Sequence, residues 1–116
     1  MAWTLPVRLM RVQGPSMRPT LAHDDIIVVE PRAYRRRRPE SGHIVVAEPS
    51  KWGTRPVIKR IGSQETEDLF AEEAAFFLVG DSTQSSTDSR ALGTVSKQEI
   101  IGRVRLRLWP SVGRIG

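Results

Sequence analysis

Ile101-Gly102-Arg103-Val104-Arg105-Leu106-Arg107-Leu108-Trp109 is the stretch that decides the fold class. Val104, Leu106 and Leu108 alternate with Arg103, Arg105 and Arg107, and a period of two is the signature of a strand with one face toward a core. Working outward from it, similar short segments recur at 8–13, 25–30, 43–48, 56–61 and 75–79, each apolar or alternating and bounded by turn formers. Helical turns are expected only at 96–100 and 65–75. Six or so strands with irregular connections predict an all-β domain, a small barrel-like or coiled sheet with few short helical turns.

At 116 residues the chain fits a single domain, 1–116. Its 39% hydrophobic and 27% charged residues are those of a globular protein rather than a disordered one. Cysteine is absent, which removes disulfides, thiol nucleophiles and thiolate metal sites together. No window approaches the roughly 18–20 apolar residues that cross a bilayer. Residues 1–13 carry Arg8 and Arg11 and lack the apolar run of a secretion signal. A soluble, cytoplasmic protein is expected from this, with peripheral membrane contact left open.

The net charge of +5 raises the question of an acidic partner. The charge is concentrated in the run Arg35-Arg36-Arg37-Arg38 and on alternate residues of 103–107, with the acidic stretch Glu65, Glu67, Asp68, Glu72 and Glu73 between them. Such mixed patches argue against nucleic acid, which asks for one continuous basic face. The run itself reads as a solvated loop tip, with contact to an acidic membrane surface or precursor as the alternative. Trp3, Trp52 and Trp109 lack the spacing of a base-stacking platform and read as core or rim packing.

Two residues carry candidate chemistry. In Gly14-Pro15-Ser16-Met17-Arg18-Pro19-Thr20-Leu21, Pro15 and Pro19 frame a serine on a stiff, non-helical turn. Spacing alone favours an ordinary surface serine here. A serine nucleophile needs a base, and neither His23 nor His43 has an orienting carboxylate in a recognisable motif. A lysine base must hold a neutral amine near neutral pH, which takes about 4 kcal/mol of preference for the uncharged form. Burial among apolar groups supplies this. Of Lys51, Lys59 and Lys97, only Lys59 lies within an expected strand, on the face of Val57 and Ile61. Pattern alone still favours a lysine whose head reaches water. The polar stretch 80–93 is unusually long for a loop in a compact domain, which points to function or disorder.

Four ordered blocks join these signals. Residues 14–21, the strand block His23-Asp24-Asp25-Ile26-Ile27-Val28-Val29, Ile58-Lys59-Arg60-Ile61-Gly62, and Gly80-Asp81-Ser82 through Ser86-Thr87-Asp88-Ser89-Arg90-Ala91-Leu92-Gly93 resemble the type I signal peptidases, the Ser–Lys leader peptidases. The resemblance covers residues 12–104. It implies a serine endopeptidase without cofactor or metal, in which Ser16 attacks the scissile carbonyl and Lys59 accepts its proton. Ser86 would orient the lysine amine, Asp88 and Arg90 would pair in support, and the Ser16 backbone N–H would be the oxyanion donor. The implied partner is a precursor protein with an N-terminal leader, bound as an added strand beside Ser16 and 56–59 with small side chains before the cut. Gly14 and Ser82 depart from the family's frequent serine and asparagine at those positions.

The short length and the Gly102-Arg103-Val104…Leu108-Trp109-Pro110 ending are similar to the anchorless branch that matures nickel-type superoxide dismutase, so removal of that precursor's leader is the first expectation and general signal-peptide processing the second. A self-cleaving repressor-type regulator uses the same dyad but carries a DNA-binding domain ahead of it, and only 15 residues precede Ser16. A non-catalytic basic binding module is the alternative of another class.

Overall fold

The structure is a computed structural model that describes residues 7–53, 55–62, 75–82 and 89–115, with the backbone alone at 90 and 91. The expected helical turn at 65–75 and the acidic side chains of that stretch fall almost wholly outside these residues, as does Trp3. Nine strands are described: β1 Arg8–Arg11, β2 Ile26–Glu30, β3 Ile44–Ala47, β4 Val57–Ile61, β5 Ala75–Phe76, β6 Leu78–Val79, β7 Val95–Ser96, β8 Ile100–Trp109 and β9 Gly113–Arg114. The only helices among the described residues are α1, Ser89–Leu92, and two 3-10 turns, Ser50–Trp52 and Lys97–Glu99. None is long and apolar enough to cross a membrane.

Seven strands form one antiparallel sheet in the order β1-β2-β8-β3-β4-β6, with β9 also on β8; β5 and β7 form a separate pair. The fold is all-β, as the alternating patterns predict. The central β3 is buried along its whole length because both of its faces are covered. On one side lie Val12, Met17, Leu21, Ile27, Val29, Ile44, Val46 and Val104. On the other, Val45, Ala47, Ile61, Phe76, Leu78 and Val95 gather with Tyr34. The pairing of β8 with β3 and the turn after β2 requires Gly102: a Cβ there would stand 2.7 Å from the Glu30 carbonyl oxygen and 2.9 Å from Pro31 Cα.

Two details differ from the sequence pattern. Residues 75–79, expected as one strand, break at Phe77 into β5 and β6, which serve different sheets. In β8 the alternation does not keep one face. Val104 opposes the buried Val29, but Leu106 opposes Val28, on the other side of β2, because the register shifts between these pairs. Such an irregularity turns the strand over. Beyond it, Leu108 and Trp109 are exposed, and Arg107 opposes the buried Ile27 and comes within 3.8 Å of the buried Asp25 carboxylate.

Candidate active site

The turn bearing Ser16 is held from below. Val12, Met17 and Leu21 are fully buried on one face of the sheet, so the intervening residues must bulge outward, and Ser16 is left half-buried at the surface. Leu21 N–H donates to the Met17 carbonyl at 2.9 Å and Arg18 N–H to that of Pro15 at 3.1 Å, closing the turn on itself. Gly14 enters it at φ +84°, a conformation that a side chain disfavours, which gives a backbone reason for glycine here. The Gly14 N–H donates to His23 Nδ1 at 2.9 Å. The Ser16 N–H has no hydrogen-bond acceptor among the described residues.

Lys59 sits in the middle of β4, opposite Val45 of β3, and is 4% exposed. Its strand neighbours divide between the two cores: Ile58 packs against one, Val57 and Ile61 against the other. Strand alternation thus draws the lysine inward while Arg60 faces the opposite way.

Ser16 and Lys59 line the same cleft, of about 420 Å³. One wall is the end of β1 and the serine turn, with Met10, Val12 and Met17; the other is Pro56, Val57 and Ile58 on β4. β1 is the terminal strand of the sheet, and β4 pairs with β6 only at Arg60 and Ile61. Residues 57–59 therefore present a strand edge without a neighbouring strand among the described residues. The sheet coils until its first strand and the flank of its fifth face a common slot. A slot between strand edges suits an extended peptide, which can hydrogen-bond along the backbone. Among the described residues no His, Asp or Glu cluster of metal-binding geometry occurs.

Asp81 ties the parts together. Its carboxylate accepts two hydrogen bonds from Arg60, Nε and Nη2 each at 2.8 Å, and a third from the Thr20 hydroxyl. Next to it, Ser82 N–H donates to the Ser16 carbonyl at 2.9 Å. Arg60 also donates from Nη1 to the Gly42 carbonyl at 2.8 Å. The Arg60 guanidinium is the main reason the Asp81 carboxyl lies below the usual carboxylate range. The sequence reading gave Arg60, Thr20 and Asp81 no role. The signal was present, since each stands inside one of the four blocks and an acid beside a glycine in a polar loop calls for a basic partner.

Of the supporting residues expected from sequence, Ser86 and Asp88 lie outside the described residues, and Arg90 is described in its backbone only, within α1. The neighbouring Ser89 is 4% exposed and accepts the Leu78 N–H at 2.8 Å, which anchors the end of that segment on β6. His23 serves the serine turn through Gly14. His43 lies away from the cleft, stacked on Tyr34.

Comparison with known proteins points the same way. The model of the family described as signal peptidase, peptidase S26, matches residues 1–69 and 63–109. Mitochondrial inner membrane protease subunit 1 of Homo sapiens is 32% identical over 110 residues, covering 84% of this chain and 66% of that protein. Mitochondrial ATP-independent inner membrane protease subunit 1b of Arabidopsis thaliana is 32% identical over 113 residues, covering 84% and 67%. Signal peptidase I of Leptolyngbya laminosa is 28% identical over 142 residues, covering 90% and 70%. The chain spans about two thirds of the length of these relatives. No solved structure matches it. The chain belongs to the signal peptidase family, peptidase S26.

Proposed function

From that membership we propose that the chain is a serine endopeptidase that cuts leader peptides from precursor proteins with Ser16 as nucleophile and Lys59 as general base. The observation that carries this reading is the shared cleft: one half-buried hydroxyl and one lysine that is 4% exposed, in a slot shaped for an extended chain. Removal from water favours the neutral form of an amine, which is the form a base needs.

In this mechanism the Lys59 amine takes the Ser16 proton as Oγ attacks the scissile carbonyl carbon. The Ser16 N–H, which has no acceptor among the described residues, donates to the oxyanion as it forms. The lysine ammonium then protonates the leaving amine, and the acyl-enzyme is released by water that Lys59 deprotonates in turn. Ser86 is the proposed partner that orients the amine, and Asp88 with Arg90 the proposed supporting pair. Gly14 brings no hydroxyl, and its N–H is already given to His23, so a second oxyanion donor from that residue is not part of this reading.

The substrate binds as a strand along 57–59. A nickel-type superoxide dismutase precursor is the narrower proposal, and it rests on the resemblance of the chain's length and of 102–110 alone. The relatives' names speak of inner membrane proteases and signal peptidase, which favours general leader processing as the broader form. Action in the cytoplasm is likewise a proposal drawn from the sequence. The test is incubation of the purified protein with candidate precursors, with cleavage sites read by mass spectrometry. Cleavage that Ser16→Ala, Lys59→Ala and Lys59→Arg each abolish supports the dyad, since a guanidinium does not lose its proton in a protein. Cleavage that survives Ser16→Ala would reject it.

A further inference from the structure

The register between β1 and β2 runs from Arg8 opposite Val29 to Arg11 opposite Ile26, and its continuation sets Gly14 opposite His23. Val12 keeps to this ladder, since its N–H donates to the Asp25 carbonyl at 2.8 Å. The chain leaves it at Asp24, whose φ is +73° and whose N–H donates to the Val12 carbonyl at 2.8 Å. A left-handed residue other than glycine is uncommon, and here it turns the strand aside. The His23 carbonyl is therefore not the partner of the Gly14 N–H. His23 Nδ1 accepts it instead, at 2.9 Å. A ring nitrogen makes the last rung before the turn that bears Ser16.

A backbone carbonyl accepts at any pH, whereas a ring nitrogen accepts only while it carries no proton. The Gly14 N–H can only donate, so the neutral ring holds its proton on Nε2, which lies 3.5 Å from Asp24 Oδ1. A proton on Nδ1 would set two donors face to face, and the ring, on a side chain that is 55% exposed, can escape to water. The charged groups set against it are Asp24 and, 4.0 Å from the same Asp24 oxygen, Arg11 of β1. The Asp25 carboxylate is engaged elsewhere, by the Ala22 N–H at 2.9 Å and by Arg107 of β8 at 3.8 Å. Among the described residues the Gly14 N–H has no acceptor besides the ring.

We infer that His23 is a positioning residue for cleavage and acts only as the neutral ring, whose bare Nδ1 holds the Gly14 N–H and fixes the entry to the serine turn. The inference rests on the reading of Ser16 as nucleophile. The rest of the turn is held without His23: Met17 and Leu21 are buried, and the Ser82 N–H donates to the Ser16 carbonyl at 2.9 Å. Gly14 is the end left to the ring. As a glycine it is free to change its φ once its N–H is released. A small displacement of an attacking oxygen costs more in rate than the lost contact costs in stability. Histidine side chains exchange their proton near neutral pH. Protons on Lys59 and on His23 would therefore each slow the site as pH falls.

The test compares wild type with His23→Asn, whose Oδ1 stands as many bonds from the backbone as Nδ1 and accepts at every pH, and with His23→Gln, whose oxygen stands one bond further out. Cleavage of a fluorogenic peptide with alanine before the scissile bond is followed between about pH 5 and 9. Protonation of Lys59 is common to all three proteins, so the wild-type kcat is read as a ratio to that of His23→Asn. The ratio is expected close to unity in base and to fall about fivefold in acid, the worth of one hydrogen bond. KM should not change, and His23→Gln should be slower by about the same factor in base. A ratio that stays constant, a His23→Asn as slow as His23→Gln, or an effect confined to KM would overturn the inference. Nitrogen-15 NMR of the ring needs no cleavage: a bare Nδ1 in the neutral ring is expected, with a Gly14 amide signal that follows the ring's titration. A neutral ring with its proton on Nδ1 would overturn the inference as well. A Ser16→Ala variant that cleaves like wild type, or a wild type that cleaves nothing, would instead sink the nucleophile reading, a failure that the ring's spectrum does not share.

Discussion

Arg60 grips Asp81 through both of its carboxylate oxygens, and so joins the strand that carries Lys59 to the segment whose Ser82 N–H holds the Ser16 carbonyl. The turn with Ser16 and the strand with Lys59 are far apart in sequence, and neither pairs with the other in the sheet. Their separation is set by this clasp. The side chains are 30% and 14% exposed, so solvent screens the pair only in part.

Asp81→Asn is therefore expected to lower stability by about 2 kcal/mol, through loss of a charge-assisted pair and a weakened Thr20 contact. A carboxyl held below its usual range binds protons less readily folded than unfolded. Its contribution is present at neutral pH and is lost as pH falls through the acid range below about 4. Melting temperatures of wild type and variant, measured against pH, should differ at neutrality and converge in acid. A constant difference would show that the carboxylate's charge is not what stabilises the clasp.

Gly14→Ala should cost about 1 kcal/mol by the backbone alone, since φ is +84° and no atom lies within 4 Å of the added Cβ. Because the strain falls two residues before Ser16, cleavage should slow by more than the stability loss explains. Chemical denaturation alongside steady-state kinetics separates the two.

His23→Ala removes the acceptor of the Gly14 N–H at an exposed site, so the stability loss should stay near 0.5–1 kcal/mol. The expected kinetic effect is on kcat, with KM little changed, because the turn positions the hydroxyl rather than the peptide. A rise in KM at constant kcat would place His23 in peptide binding instead.

The strands were legible because burial of one face writes a period of two, and the segments at 25–30, 43–48 and 56–61 needed only their ends trimmed. What the pattern could not carry was the register shift in β8. Val104, Leu106 and Leu108 look equivalent in sequence, yet only Val104 stays in the core, since a slip against β2 reverses the faces. Ser16 and Lys59 were each ambiguous from local chemistry, and only the order of their blocks singled them out as candidates. Asp81 was missed because its meaning lies in two partners that only the fold brings near. The arginine run is as its composition describes, with residues 35–38 exposed, while Tyr34 just before it is buried, which composition alone does not indicate.

Lys59→Met separates the stability of the core from the proposed chemistry. The side chain is 4% exposed, in a strand where Ile61 is a core residue and Val57 packs against the same core, and methionine has nearly the same length and no amine. Keeping an amine dry costs free energy that an apolar side chain does not, and residues kept for function frequently cost stability. The melting temperature of the variant should equal or exceed that of the wild type while precursor cleavage disappears. A large drop in melting temperature would mean that Lys59 is chiefly a structural residue, and that the loss of cleavage says nothing about its role as a base.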